Sequence, residues 1–238
     1  MLRKLMIRTW FGPLPPWTEQ FKAHVERLKQ FGWDFLIWND FEELRKRVEL
    51  GTGVLIPEKL DTRKAGDYDP YNAVIFPDLI KGYDYWGHFN LDCVYGRLEK
   101  WIPDAFLENC DIFANDPGAI CGPLSVYRNC EKVNRLYLVS RHWEDNLRDG
   151  RFWGFDEVEF NHAIQPYVKC GSIKMASAFF QAHDHMTAGH KETPKIMVRS
   201  DGALLDPVRG DEETMMYHFN QTRKWPVLPP ANAGETRG

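Results

Sequence analysis

The chain lacks the features that mark membrane and secreted proteins. No run among its 238 residues approaches the ~18 consecutive apolar residues that a membrane-spanning helix needs. The first residues, MLRKLMIRTW, lack the apolar stretch and the cleavage site of a signal peptide. We therefore expect a protein without a membrane span that works in the cytoplasm.

Paired cysteines and an excess of positive charge are absent too. The five cysteines, at positions 93, 110, 121, 130 and 170, have neither the even count nor the close spacing of a disulfide framework or a zinc ribbon. The 30 Lys and Arg residues are outnumbered by 34 Asp and Glu residues, which gives a net charge of −4. The thiols are expected to be reduced, and the charge balance does not indicate a nucleic-acid partner.

The GxGxxG pattern of classical dinucleotide-binding folds is also missing. The composition, 43% hydrophobic and 27% charged, is that of a globular protein. The length suits one sizeable α/β domain rather than two. We predict a single domain over residues 1–225 and a flexible tail, rich in Pro, Gly and Ala, over residues 226–238.

Strand and helix patterns alternate at the beginning of the chain. Residues 5–10 are typical of a strand, residues 17–30 carry apolar side chains at the helical interval, and residues 35–38 form a second short strand pattern. This order predicts a βαβ unit and a mixed, mainly parallel central sheet flanked by helices. Ligands of such sheets bind beyond the carboxyl ends of the strands, so residues 9–12 are expected at the functional edge.

Residues 81–101, KGYDYWGHFNLDCVYGRLEKW, combine a buried strand pattern with an acidic end. An apolar and aromatic run is followed by Asn90-Leu91-Asp92 and then by another apolar group. A carboxylate at the end of a buried strand is costly unless a positive group meets it. Mg²⁺ and Mn²⁺ take oxygen ligands and are often shared with substrate phosphates, so Asp92 is either a metal ligand or a residue that caps a turn.

A few short sequence words give the chain a resemblance to known enzymes. The Asn90-Leu91-Asp92 element resembles the DxD strand of GT-A-type glycosyltransferases. The words YDYWGHFNLDCVYG and VYRN resemble a family of small bacterial and phage glycosyltransferase-like proteins, and the resemblance extends from Ile7 to Trp225. It implies a single GT-A-like, Rossmann-like domain that transfers a sugar from a nucleotide-sugar, of the UDP type, to an acceptor hydroxyl.

The resemblance also implies a metal and diphosphate site. Asp92 would coordinate Mn²⁺ or Mg²⁺ on the donor diphosphate, while Asn90, at the first position of the motif, would orient the donor with one charge fewer. A late HF element makes His218 a second metal ligand, with Arg223 and Lys224 available to the diphosphate. A strand histidine satisfied in the core is the alternative for His218.

Two earlier segments are implicated in donor binding by the same resemblance. The first loop would lie near the base of the nucleotide, which concerns Thr9, Trp10 and Phe11. Lys64 and Asp67 would contact the donor, because a lysine neutralises phosphate and an aspartate accepts hydrogen bonds from sugar hydroxyls. The alternative for the polar segment around them is a solvated charged loop.

The acceptor side is assigned to the acidic segment GFDEVEFNH, residues 154–162. Asp156 is a good helix N-cap and Glu157 favours a first helical turn, so a purely structural explanation exists. The segment also resembles the xED-like element of GT-A enzymes, which implies that Asp156 or Glu157 is the general base. The expected acceptor is a glycan or lipid-linked sugar, whereas a modified DNA base would require a basic face.

Other functions and another metal site stay open at this point. The loss of the first motif carboxylate at Asn90 allows a non-catalytic nucleotide-sugar binding module, and the scattered carboxylates allow a metal-dependent hydrolase. The cluster of His183, Asp184, His185 and His190 could bind a metal. Their spacing matches no zinc signature and favours a polar loop.

Overall fold

A six-stranded sheet forms the centre of the structure. The computed structural model describes residues 1–177, 181–183, 196–206, 210–219 and 225–226, with residues 181–183 described by their backbone alone. The strands of the sheet are β1 (Lys4–Thr9), β2 (Trp33–Trp38), β3 (Tyr85–Phe89), β5 (Ile112–Ala114), β6 (Leu124–Arg128) and β7 (Met175–Ser177). Their order is β2-β1-β3-β6-β5-β7. β1 runs parallel to β2 and β3, β5 runs parallel to β7, and β6 is antiparallel to both of its neighbours.

Helices cover both faces of this sheet. The α-helices are α1 (Thr18–Glu26), α2 (Phe41–Thr52), α3 (Asn72–Ile75), α4 (Leu98–Trp101), α5 (Asp104–Leu107), α6 (Glu131–Asn134), α7 (Trp143–Arg148) and α8 (Asn161–Lys169). Side chains alternate across a strand, and accordingly Leu5 and Ile7 of β1 pack into one core while Met6 packs into a second. The first core contains residues of α2 and α3, and the second contains residues of α1 and α5.

Two small sheets complete the described fold. β4 (Cys93–Tyr95) pairs antiparallel with β12 (Met216–His218), which also pairs in parallel with β8 (Gln181–His183). β9 (Met197–Val198), β10 (Leu204–Asp206) and β11 (Glu212–Thr214) form an antiparallel meander. The turn residues Ser200-Asp201-Gly202 predict a hairpin, and the antiparallel pairing of β9 with β10 confirms it.

The predicted fold class is confirmed, since a mixed, mainly parallel sheet flanked by helices forms one α/β domain. Prolines interrupt two segments whose sequences predict a single helix. The pattern of residues 71–79 predicts one helix, but only α3 forms, because Pro77 follows. The pattern of residues 98–106 also predicts one helix, which is divided at Pro103 into α4 and α5. None of the helices in the described part of the chain has the length and apolar character needed to cross a bilayer.

The segment predicted as a polar loop over residues 61–70 is a buried 3₁₀ helix, Thr62–Tyr71. The Asp61 carboxylate caps its beginning by accepting a hydrogen bond from the amide of Arg63. Every residue from Lys64 to Tyr71 is buried. The composition of this segment predicts a solvated loop, and that prediction is wrong because Lys64 and Asp67 pair with each other inside the protein.

Candidate active site

A cavity of about 460 Å³ opens at the edge of the sheet where β1 and β3 end. β1 and β3 are parallel neighbours, so the residues that follow them meet at one edge. The predicted site residues that line the cavity are Trp10, Asn90, Asp92, Asp156 and Glu157. One cavity therefore combines predicted donor, metal and acceptor residues from distant parts of the sequence.

Asp92 lines this cavity and is paired with His218, which lies outside the cavity lining. The antiparallel register of β4 and β12 places His218 opposite Cys93, directly beside Asp92. The imidazole Nε2 of His218 lies 3.3 Å from Oδ1 of Asp92, and both residues are buried. The amide of Phe219 donates to the carbonyl of Asp92 at 2.9 Å, which fixes the two segments to each other.

The turn that carries Asp92 is held from two sides. The indole Nε1 of Trp17 donates to the carbonyl of Leu91 at 2.8 Å. The buried hydroxyl of Tyr95 lies within hydrogen-bonding distance of two carbonyl oxygens, 2.7 Å from that of Pro123 and 3.3 Å from that of Asn90. The carboxylate thus projects from a preorganised turn between β3 and β4.

The donor set around Asp92 fits a hard divalent cation. Asp92, Cys93 and His218 are buried, and one ligand atom of each lies within 4.8 Å of the others. Adjacent ligands of an octahedral ion with bonds of about 2.1 Å are ~3 Å apart, close to the separation of the Asp92 and His218 atoms. Burial raises the pKa of the Cys93 thiol well above its usual value, and a neutral, soft sulfur is a poor ligand for Mg²⁺ or Mn²⁺. Asp92 and His218 are therefore the groups that could hold such an ion.

A second group of titratable side chains extends inward from the cavity wall, where Asp156 lies. One polar atom each of Asp69, His88 and Asp156 lies within 4.8 Å of the other two, and all three residues are buried. The guanidinium of Arg8, which lines the cavity, donates from Nη1 to Oδ2 of Asp69 at 2.8 Å. The structure thus joins a strand-end cation to a buried pair of carboxyl groups.

Burial determines the protonation of this group. It raises the pKa of Asp156 to about 7, with a further contribution from the charge of Glu157, and it raises the pKa of Asp69 well above its usual value. Burial also lowers the pKa of His88 to about 3, so its imidazole is neutral. Two carboxyl groups this close cannot both ionise cheaply, and near neutral pH they retain a proton between them.

The acidic segment differs from its predicted capping geometry. Asp156 is not the N-cap: Phe155 occupies that position, and a π-helical turn, Asp156–Phe160, begins at Asp156 itself and continues into α8. Glu157 is exposed, and its Oε1 accepts a hydrogen bond from the amide of Gly122 at 2.8 Å. Asp156 therefore presents the more deeply buried carboxyl group at the cavity, and Glu157 is tied to the chain before β6.

Lys64 and Asp67 lie outside the cavity lining. Both side chains are fully buried, and Nζ of Lys64 donates to Oδ2 of Asp67 at 2.9 Å and to the carbonyl of Asn146 at 2.7 Å. Asp67 also accepts hydrogen bonds from the amides of Trp153, at 2.9 Å, and Phe155, at 2.8 Å. In this arrangement the pair anchors the segment that leads into the acidic helix.

The first loop contributes one cavity residue of the predicted three. Trp10 lines the cavity, and its Nε1 donates to the carbonyl of Pro13 at 2.9 Å. Thr9 is buried, and Phe11 packs edge-on against Tyr68 in the core. Arg223 and Lys224 lie outside the described residues, as do Asp184, His185, His190 and the side chain of His183.

Sequence reasoning missed Arg8 and Phe152, which line the cavity, and Asp69, which lies behind it. A signal existed for Arg8, since a charged residue in the otherwise apolar β1 pattern requires a partner. That partner, Asp69, is distant in sequence and could not be identified from periodicity. Phe152 offers no comparable signal, because an isolated aromatic residue usually belongs to a core.

Comparisons with known proteins bear on the fold and the family. A glycosyltransferase involved in the glycosylation of the major capsid of PBCV-1 is similar in structure, with a TM-score of 0.52 and 8% identity over 93% of this chain and 95% of that chain. The galactosyltransferase LgtC, solved with donor and acceptor sugar analogs, has a TM-score of 0.41 and 10% identity over 91% of this chain and 86% of that chain. No curated protein sequence gives a significant match.

The first of these similarities identifies the fold as the GT-A type. At such low identity a structural similarity establishes the fold alone. The family is given by sequence, because a family model matches residues 6–224, which is most of the chain. The chain therefore belongs to DUF6625, a family of unknown function.

Proposed function

We propose that the protein is a metal-dependent glycosyltransferase of the hexosyltransferase type, which moves a sugar from a nucleotide-sugar of the UDP type to an acceptor hydroxyl. One observation carries this proposal: Asp92, which is paired with His218, and Asp156 line the same cavity. Sugar transfer needs a positive charge for the departing diphosphate and a proton acceptor for the attacking hydroxyl. The GT-A-type fold supports the same function.

The Asp92 side of the cavity suits the donor diphosphate. Asp92 and His218 would hold Mn²⁺ or Mg²⁺, which when bound neutralises the diphosphate and stabilises the departing nucleotide. The Arg8 guanidinium, oriented by Asp69, adds a permanent cation within the cavity. Arg8 takes the part that was expected of Lys64, whose ammonium group is buried against Asp67.

Other cavity residues suit the remainder of the donor. Asn90 is positioned to donate and accept hydrogen bonds with the sugar, and Trp10 offers a ring that can stack on the nucleotide base. Thr9 and Phe11 would support Trp10 from the core side. Contacts of Arg223 and Lys224 with the diphosphate stay a prediction.

Asp156 is the proposed proton acceptor. In an inverting transfer the acceptor oxygen bonds to C1 of the sugar while the bond between C1 and the diphosphate oxygen breaks, and the hydroxyl proton moves to the Asp156 carboxylate. A pKa of about 7 suits this transfer near neutral pH. Glu157 suits it less, because its Oε1 already accepts the Gly122 amide.

The donor site can be tested by calorimetric titration. UDP-, GDP- and TDP-sugars would be titrated with and without Mn²⁺ into the wild type, Asp92→Ala and His218→Ala. We expect one donor to bind in a manganese-dependent manner and each substitution to weaken its binding by about tenfold or more. Asp78→Asn is the control, since it removes an exposed carboxylate that pairs with Arg47 and does not line the cavity.

The outcomes separate this function from its rivals. Absence of binding to every donor, with or without metal, would overturn the proposal. Donor binding without transfer to any acceptor would indicate a binding module, and release of sugar or phosphate independent of an acceptor would indicate a hydrolase. Asp156→Asn is expected to bind donor like the wild type and to lose about 10²-fold or more in transfer rate.

A further inference from the structure

Residues 151–155 form a loop that places exposed aromatic rings beside the cavity. The exposed fractions are 40% for Phe152, 36% for Trp153 and 52% for Val158. Phe152 also lines the cavity. A Cβ atom on Gly154 would lie 3.6 Å from the Phe152 ring and 3.8 Å from Val158, so these side chains flank the same glycine. We call Phe152, Trp153 and Val158 the aromatic rim.

The backbone beneath the aromatic rim is fixed by a buried carboxylate. The two oxygens of Asp67 accept the amides of Trp153 and Phe155. Gly154, between them, has a φ of 66°, a conformation that glycine adopts without strain and that lets both amides reach one carboxylate. Lys64 neutralises Asp67 from the other side. The rings are thus presented on a preorganised loop, which lowers the entropy lost when a ligand binds.

Hydrogen-bonding groups border the aromatic rim. The Arg63 guanidinium lies 5.2 Å from the centroid of the Phe152 ring and pairs with Asp61 at 3.0 Å. Nε1 of Trp153 donates to Oδ2 of Asp149 at 2.9 Å. The exposed Glu157 follows Trp153 in the sequence and lines the cavity. The exposed side chains of the rim are therefore accompanied by acidic and basic groups.

These features favour one class of ligand. The rim consists of three side chains, whereas a standard protein interface takes ~20–30 residues from each partner. The bordering carboxylates of Asp61 and Asp149 are paired with Arg63 and Arg151, so these groups leave no surplus of positive charge for the phosphates of a nucleic acid or an anionic membrane. A pyranose ring fits the same features, because the weakly positive C–H groups on one of its faces meet the negative face of an aromatic ring. Its hydroxyls then meet the bordering charged groups.

We propose that the aromatic rim is the acceptor subsite and binds a pyranose ring of a carbohydrate, stacked on Phe152 with a hydroxyl directed toward Asp156. This inference rests on the proposed function, because it takes the cavity to be the site of sugar transfer. The rim and Asp156 belong to one backbone segment, and Asp67 fixes the amide immediately before Asp156 as well as that of Trp153. The stacked sugar and the proton acceptor are consequently positioned by the same anchor.

The test uses carbohydrate probes without donor. Methyl β-D-galactopyranoside, methyl α-D-glucopyranoside, lactose and maltose would be titrated into the full chain by saturation-transfer NMR, with Phe152→Ala and Phe152→Tyr as variants. Phe106→Ala is the matched control, since Phe106 is 38% exposed, packs edge-on against Phe113 and does not line the cavity. We expect at least one probe to bind the wild type and Phe106→Ala equally. It should bind Phe152→Ala about fivefold more weakly, which corresponds to ~1 kcal/mol, with affinity restored in Phe152→Tyr.

Three results would overturn the inference: none of the probes binds the wild type, Phe152→Ala binds like the wild type, or a short oligonucleotide rather than a sugar binds in a Phe152-dependent manner. A separate titration of UDP and Mn²⁺ into the wild type reports on the proposed function alone. Failure of the donor site and failure of the acceptor subsite therefore give different results.

Discussion

We expect the Asp156 carboxyl group to destabilise the fold near neutral pH, where it would act as the proton acceptor. Its pKa is raised from an ordinary value of 3.8 to about 7, first by burial and then by the charge of Glu157. The folded state therefore binds more protons than the unfolded state between these values, and its stability falls as pH rises through that window. At about 1.36 kcal/mol per pKa unit, the cost above pH ~7 is of the order of 4 kcal/mol.

Asp156→Asn tests this cost, because asparagine resembles the neutral carboxyl group at every pH. Urea unfolding of the wild type and Asp156→Asn would be compared at about pH 4 and about pH 8. At the lower pH we expect the two free energies of unfolding to differ by less than ~1 kcal/mol, since Asp156 is protonated when folded and roughly 40% protonated when unfolded. At the higher pH the variant should be more stable by a few kcal/mol while losing transfer activity, as is typical of a strained functional site.

Asp111→Asn provides a control of opposite sign. Hydrogen bonds from the amide of Lys174 and from Nζ of Lys132 hold the pKa of the Asp111 carboxyl below its usual value despite partial burial. Its stabilising effect is therefore present above the unfolded-state pKa and is lost as pH falls, so Asp111→Asn should be less stable than the wild type at about pH 8. The reasoning would be refuted if Asp156→Asn were no more stable than the wild type at that pH, or if its advantage were the same at both pH values.

Three further predictions concern the surroundings of the cavity. Asp67→Ala leaves the buried Lys64 ammonium and two amides without their acceptor. In urea denaturation it should therefore lower the free energy of unfolding by ~3–5 kcal/mol, and the double variant Lys64→Met, Asp67→Asn should recover part of this loss. Arg8→Ala should weaken the binding of inorganic pyrophosphate in the absence of metal by about tenfold, as measured by calorimetry, whereas an unchanged affinity would exclude Arg8 from the anion site. Gly154→Ala should lower the stability measured by thermal unfolding by ~1–2 kcal/mol, because Gly154 has a positive φ. It should also weaken the binding of the pyranoside probes. Binding at wild-type affinity would show that the loop geometry does not matter.

The sequence was sufficient to predict the fold class and the main edge of the site, because both depend on local patterns. The strand before Asp92 and the strand-loop-helix at the beginning of the chain have clear periodicity, and parallel strands bring their carboxyl ends together. The proximity of Asp92 and His218 follows from the pairing of β4 with β12. That pairing joins distant segments and was reached through a family resemblance rather than through periodicity.

Long-range polar pairing explains what the sequence concealed. Lys64 and Asp67 are chemically notable, but the composition of their segment suggests a solvated loop. Some of the groups that bond to them, such as the amide of Phe155, lie far along the chain. Arg8 escapes sequence reasoning for the same reason, since only the folded chain shows that Asp69 accepts its hydrogen bond. Charge in a sequence does not reveal whether its partner is water or another residue.

Buried polar atoms without hydrogen bonds lie next to the cavity, which indicates that this region serves a function at a cost in stability. Oδ1 of Asp69 and Nδ1 of His88 are buried and make no hydrogen bond within the described part of the chain. Each such atom costs about 1–3 kcal/mol. These atoms border Asp156, whose carboxyl group is itself destabilised by burial. A protein retains such costs where a function depends on them. Substitutions in the group of Arg8, Asp69, His88 and Asp156 should therefore show most clearly that stability and activity change independently.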